Sequence, residues 1–196
     1  MMPTMAARLP SPDWRPFNGW RVDRNLVFAH AMQESSFITT ARSGPGARGL
    51  MQLMPGTARD LARAAAMEHR DDLLADPAFN VEYGQAFLEQ LRDSQHTGGL
   101  LPKVIAAYNA GPGSVKNWNA GGLKDNGDVL LFMESIPFRE TRHYVEVVLR
   151  NYWLYGLKDG AAPVSAAEGA PSLATLDAVA GNRWPRFPGR AVAAAR

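Results

Sequence analysis

The amino-acid sequence predicts a mainly α domain, compact and with little or no sheet. Three observations carry that expectation. Apolar residues recur at helical spacing, most plainly Val145, Val148, Leu149, Tyr152 and Tyr155 on one stripe. Glycine and proline cut the chain into segments of helical length. No run alternates convincingly with a period of two, the mark of a half-buried strand.

Taken in order, residues 1–20 read as an extended lead-in. Pro10, Pro12 and Pro16 block helix there, while Trp14, Phe17 and Trp20 are able to dock on the domain. Asp23 is a candidate N-cap for a helix running to about Ser35. Within it Val27, Ala31 and Glu34 share a line at i, i+4 and i+7, and Phe28 and Met32 widen the apolar face. A carboxylate therefore ends an apolar row. Pro45-Gly46 marks a turn, and Pro55-Gly56-Thr57 opens an alanine-rich helix over about 56–67.

Asp76-Pro77 breaks the chain before a helix over about 80–95, with Val81, Gly84, Leu88 and Leu91 on one face. A helix from Pro102 to about Asn109 stops at Gly111-Pro112-Gly113, and a short one follows over about 113–119. Residues 119–122 form a loop, 128–135 a short apolar segment ending at Ile136-Pro137, and about 138–157 the long final helix. After Gly160 the composition turns to Ala, Pro, Ser and Gly, which reads as a linker. A short docking helix at 172–177 and a Trp184-Pro185-Arg186-Phe187 tail follow. The expected division is a lead-in (1–20), a helical domain (21–158), and a linker with docking tail (159–196).

With 196 residues and 46% hydrophobic content, the chain suits one packed domain with tails. A net charge of +2 without a long Lys/Arg run gives no expectation of a nucleic-acid partner. The absence of cysteine excludes a disulfide scaffold and a thiolate-bound metal. His30, His69, His96 and His143 show no close metal-ligand spacing, and no phosphate-binding glycine loop or nucleophile elbow is present. Neither a metal nor a cofactor is expected. No apolar stretch reaches the roughly 18 residues of a membrane span. The opening residues lack the apolar core of a signal peptide.

The chemistry-bearing segments begin with Glu34-Ser35, followed by Gly49-Leu50-Met51-Gln52-Leu53-Met54-Pro55. Further on come Ala107-Tyr108-Asn109-Ala110-Gly111 and Glu134-Ser135-Ile136-Pro137-Phe138-Arg139-Glu140-Thr141-Arg142. A glutamate in an apolar pocket holds its proton toward about pH 6 and can deliver it to a leaving oxygen. Amides, a phenol and a thioether are groups that grip sugars. Together they describe an enzyme that cuts a glycan. These four segments, in this order, resemble the catalytic domain of soluble lytic transglycosylases, goose-lysozyme-like enzymes that cleave bacterial peptidoglycan. The resemblance covers about residues 20–157, and its second motif matches residue for residue.

The resemblance implies an α+β lysozyme-like fold in which helix dominates. It implies Glu34 as the sole catalytic acid and base, acting on the β-1,4 bond between N-acetylmuramic acid and N-acetylglucosamine. The acid protonates the glycosidic oxygen, then takes the proton of the muramyl C6 hydroxyl, leaving a 1,6-anhydro end with no water added. A tethered nucleophile favours that closure, and no second carboxylate is needed about 5 Å or more away. Substrate-binding roles are implied for Ser43, Gln52, Met54, Tyr108, Asn109, Glu140 and Tyr144. Tyr108 is the expected tuner of Glu34, whereas Asn109 is either a sugar ligand or a structural cap. Leu50, Met51, Leu53 and Met54 are all candidates for the core, about half of them belonging there, with Gln52 and Met54 expected to face the cleft. Glu134 and Glu140 are expected to bind or scaffold, with Arg139 or Arg142 neutralising them. The implied partner is the peptidoglycan glycan strand, met by a monomer in the periplasm or cell envelope. Two rivals stand beside this reading: a goose-type lysozyme that hydrolyses with Glu134 or Glu140 as second carboxylate, and a glycan-binding or assembly module without turnover.

Overall fold

The computed structural model describes residues 9–67, 69–121 and 128–159. These residues form α1 (Arg24–Ser35), α2 (Pro55–Ala64), a 3-10 turn (Asp71–Ala75), α3 (Pro77–Asp93), α4 (Leu101–Ala110), α5 (Pro112–Ala120), α6 (Val129–Ser135) and α7 (Arg139–Lys158). No strand occurs among them; extended pairing is limited to isolated bridges of Arg48 with Arg42 and with Leu53. The mainly helical expectation holds. The linker, docking helix and tail expected after 159 lie outside the described residues. Among the described residues, 9–89 with 147–159 form one compact unit and 90–146 another.

Two departures from the sequence reading have a plain local cause. α3 begins at Pro77, because proline at the first helical position gives up a hydrogen bond that no helix makes there. Asp76 supplies the cap, its Oδ1 accepting from the Ala78 and Phe79 amides at 2.8 and 3.2 Å. The 3-10 turn was not foreseen: only Leu74 of its five residues is buried, too little to leave a periodic signal.

In the first unit α1 is the central element. Asp23 caps it, accepting from the Asn25 amide through Oδ1 (2.8 Å) and from the Tyr152 hydroxyl through Oδ2 (2.9 Å). Leu26 through Ala31 are buried without interruption, so the helix is enclosed well beyond one amphipathic stripe. Behind it stands an aromatic cluster. Phe28 meets Trp20, Phe37 and Tyr155 edge-on at centroid distances of 6.0, 5.7 and 5.8 Å, and Trp14 reaches Phe37 at 6.1 Å. Phe17 docks on Phe79 at 4.9 Å. Polar bonds hold the lead-in to α3: Arg21 pairs with Glu82 (2.6 Å) and Glu89 (2.9 Å), and Gln85 exchanges bonds with the Arg21 amide and the Gly19 carbonyl. The buried Glu82 is thereby paired, which removes most of the cost of enclosing it.

His30 lies fully inside this unit, its Nδ1–H donating to the Leu26 carbonyl at 2.8 Å. Desolvation pulls its pKa down from 6.5 to about 4, against the smaller opposing effect of that bond. The unfolded chain takes up this proton below about pH 6.5, the folded chain only below about 4. Stability from this group is therefore complete above pH 6.5 and lost as pH falls through that window. Its full size is about 3 kcal/mol. Denaturant titrations between pH 7 and 4.5 are expected to show this decline, and His30→Gln should flatten it; an equally steep decline in that variant would remove His30 as its source.

In the second unit α4 buries Leu101, Val104, Ile105, Ala106, Ala107 and Tyr108 and stops at Gly111, whose φ of +83° suits glycine. Pro112 then starts α5. Trp118 of α5 packs edge-on against Phe138 at 5.4 Å. Asp128 caps α6, its Oδ1 accepting from the Leu130 and Leu131 amides. The Ile136 carbonyl just past α6 receives the Arg142 guanidinium, Nη2 at 2.8 Å.

Candidate active site

Glu34, Ser43, Gln52 and Met54 belong to the first unit; Tyr108, Asn109, Glu140 and Tyr144 belong to the second. Glu34 is half-buried in the last turn of α1, a turn that holds no basic residue and where the carbonyl ends of the helix disfavour negative charge. The chain leaves the helix abruptly, through Ser36 (φ +50°) and Phe37 (φ +64°). Two successive non-glycine residues in the left-handed region carry strain. The aromatic packing of Phe37 against Phe28 and Trp14 holds them there.

Ser35, beside the acid, is buried. Its hydroxyl donates to the Leu50 carbonyl at 2.8 Å, with the Ala31 carbonyl at 3.1 Å. The end of α1 is thus bonded directly to the second motif. That motif is a tight loop closed by reciprocal bonds between Arg48 and Leu53, amide to carbonyl at 2.9 and 3.0 Å. Leu50, Met51 and Leu53 are core, whereas Met54 is 43% exposed. Gln52 sits at φ +43°, and its Nε2 donates to the Gly49 carbonyl (2.8 Å) and the Ala41 carbonyl (3.2 Å). Its NH2 group thus serves the loop, and Oε1 is the polar atom without a partner among the described residues. Ser43 closes the preceding turn by accepting from the Ala47 amide at 2.9 Å, which leaves its own hydroxyl proton to donate.

One organiser of this loop escaped the sequence reading. Asn80, fully buried in α3, donates to the Arg48 carbonyl (3.0 Å) and the Leu74 carbonyl (2.9 Å) and accepts from the Met51 amide (2.8 Å). Three backbone groups of two loops converge on one amide. Gly49 makes the approach possible and Gly84 leaves the room that Met51 fills. Nothing in a single sequence links a residue to a loop 29 to 32 residues upstream.

In the second unit Tyr108 and Tyr144 are buried on α4 and α7, and Glu134 and Glu140 are exposed. Neither arginine neutralises these carboxylates among the described residues: Arg142 donates to the Ile136 carbonyl, because a carbonyl past the end of α6 has no helical partner. Asn109 does not cap α4. Its Oδ1 accepts from the Thr141 hydroxyl at 2.6 Å, and Gly111 ends the helix. No group of three His, Asp or Glu side chains able to hold a metal occurs among the described residues.

Comparison with known proteins adds a family. Residues 17–128 match the model of the transglycosylase SLT domain. The soluble lytic murein transglycosylase of Escherichia coli K12 is 37% identical over 155 residues, 77% of this chain and 24% of that protein. The crystal structure of the 70 kDa soluble lytic transglycosylase from Escherichia coli superimposes with a TM-score of 0.68 at 31% identity, over 93% of this chain and 26% of that one. An inactive glutamate-to-glutamine mutant of the lytic transglycosylase Slt from Pseudomonas aeruginosa superimposes with a TM-score of 0.63 at 42% identity, over 71% and 22% of the two chains. The chain therefore spans about a quarter of the length of the relatives it matches.

Proposed function

The chain belongs to the transglycosylase SLT family, and from that premise we propose that it is a peptidoglycan lytic transglycosylase. It cleaves the β-1,4 bond between N-acetylmuramic acid and N-acetylglucosamine and leaves a 1,6-anhydromuramic end. Glu34 carries both proton transfers. As acid it protonates the glycosidic oxygen while positive charge develops at the muramyl C1. As base it then removes the C6 hydroxyl proton as O6 bonds to C1. The proton it gave up is restored, and no water is consumed.

One local fact carries the reading: Glu34 and the loop at 49–54 form a single piece of structure, because Ser35 bonds α1 to Leu50. An acid whose position is set against a substrate-binding loop loses little entropy in reaching a productive geometry. Ser43, through its hydroxyl proton, Gln52, through Oε1, and Met54, through its exposed thioether, bind the glycan. Tyr108, Asn109, Glu140 and Tyr144 serve the same substrate. The inactivity of a glutamate-to-glutamine mutant in the Pseudomonas relative supports an essential glutamate. The catalytic domain spans 21–158, needs no cofactor, works as a monomer, and acts in the periplasm or cell envelope where its substrate lies. No helix among the described residues is long and apolar enough to cross a membrane.

Mass spectrometry of the soluble products from purified peptidoglycan tests this directly. Muropeptides one water lighter than their hydrolytic counterparts and lacking a reducible end are expected. Reducing ends would replace the proposal with hydrolysis, and make Glu134 and Glu140 the next carboxylates to test.

A further inference from the structure

We propose that Thr141 is a positioning residue which locks the Asn109 side-chain amide in the orientation that offers its NH2 group, a hydrogen-bond donor, to an acceptor on the substrate. The inference rests on the glycan-cleaving reading above. Thr141 is 2% exposed in the first turn of α7, and Asn109 is half-buried near the end of α4. Their oxygen-to-oxygen distance is 2.6 Å. That is an ordinary O–H···O separation but shorter than N–H···O bonds adopt, so oxygen and not nitrogen faces the hydroxyl.

Energetics fix the same orientation. The Thr141 hydroxyl proton has the Asn109 oxygen as its partner among the described residues. Turning the amide over would set NH2 against that hydroxyl and strand its proton in the interior, a loss comparable to a whole hydrogen bond. With Oδ1 engaged, both donors of Nδ2 are left for a ligand, and none of the described residues takes them. The pair therefore selects an acceptor, such as a carbonyl or ether oxygen.

The test is a double-mutant cycle on release of anhydro-ended products. Thr141→Val keeps the shape and removes the hydroxyl; it should lower kcat/KM about 10-fold with a melting temperature lowered by only a few degrees, while Thr141→Ser retains most activity. In an Asn109→Ala background Thr141→Val should cost nothing further. Asn109→Asp can still accept from Thr141 but offers no donor, so it should fold and lose as much activity as Asn109→Ala. This variant keeps the test decisive if Thr141→Val does not fold. Additive losses, a fully active Asn109→Asp, or a Thr141→Val enzyme at the wild-type rate would each overturn the proposal while leaving the functional reading intact. A wild-type protein that releases no product would sink both, since the donor would then have no substrate to serve.

Discussion

Glu34→Gln is expected to abolish glycan cleavage while leaving the fold untouched. The substitution preserves side-chain length and removes the one group asked to carry a proton in both steps. A positioned acid or base contributes about 100- to 10,000-fold, and here one carboxylate plays both parts, so a loss of at least about 1,000-fold follows. Stability should hold or rise slightly. Glu34 lies in the last turn of α1, where the helix dipole opposes negative charge, and a neutral amide removes that opposition. The measurement pairs the initial rate of muropeptide release with a thermal melt. Near-wild-type release would withdraw Glu34 as the acid, and a collapsed melt would mean that it serves the fold instead.

Gly49→Ala is expected to cause the largest loss of stability of any small substitution in the motifs. A Cβ on Gly49 would lie 2.1 Å from the Leu74 carbonyl oxygen and 2.2 Å from Asn80 Nδ2, and the residue sits at φ +76°. Those two atoms are bonded to each other, so the intruding methyl group must break the Asn80 hub as well as strain the backbone. Together these costs come to about 3–5 kcal/mol, a fall in melting temperature on the order of 10 °C. Gly46→Ala is the control. Its φ is +101° but nothing lies within 4 Å of the new Cβ. It should cost about 1–3 kcal/mol, from backbone strain alone. Circular dichroism melts of the two variants decide the matter; equal melting temperatures would mean that close approach at Gly49 contributes nothing.

The contrast between Gly49 and Asn80 illustrates what could be read in advance. Gly49 was legible as part of the second motif because that motif is contiguous. Asn80, which lies against it, was read only as the start of a helix. Likewise Thr141 sat inside a recognised segment yet carried no sign that its hydroxyl would meet Asn109, a partner 32 residues earlier. His30 lay on a helix whose apolar line was plain, but that this helix is enclosed beyond one stripe, His30 included, was decided by tertiary packing. Arg142 looked like a counter-ion for nearby carboxylates and instead met the orphaned carbonyl of Ile136. Each miss involves a polar side chain, whose partner can lie anywhere in the chain. The apolar periodicities and the proline and glycine breaks were read well because their causes are local.

The sequence alone determined the helical class, the approximate segment boundaries and the family, and it supplied the acid proposed above. Helical periodicity, capping residues and contiguous motifs act within a turn or two of chain and can be read without coordinates. Tertiary structure decided which groups remain available. It committed the Gln52 NH2 to two loop carbonyls, fixed the Asn109 amide through Thr141, and joined α1 to the second motif through Ser35. The reason is that a buried donor or acceptor must find a partner wherever the fold brings one. Which face of an amide is left for substrate is therefore settled by packing.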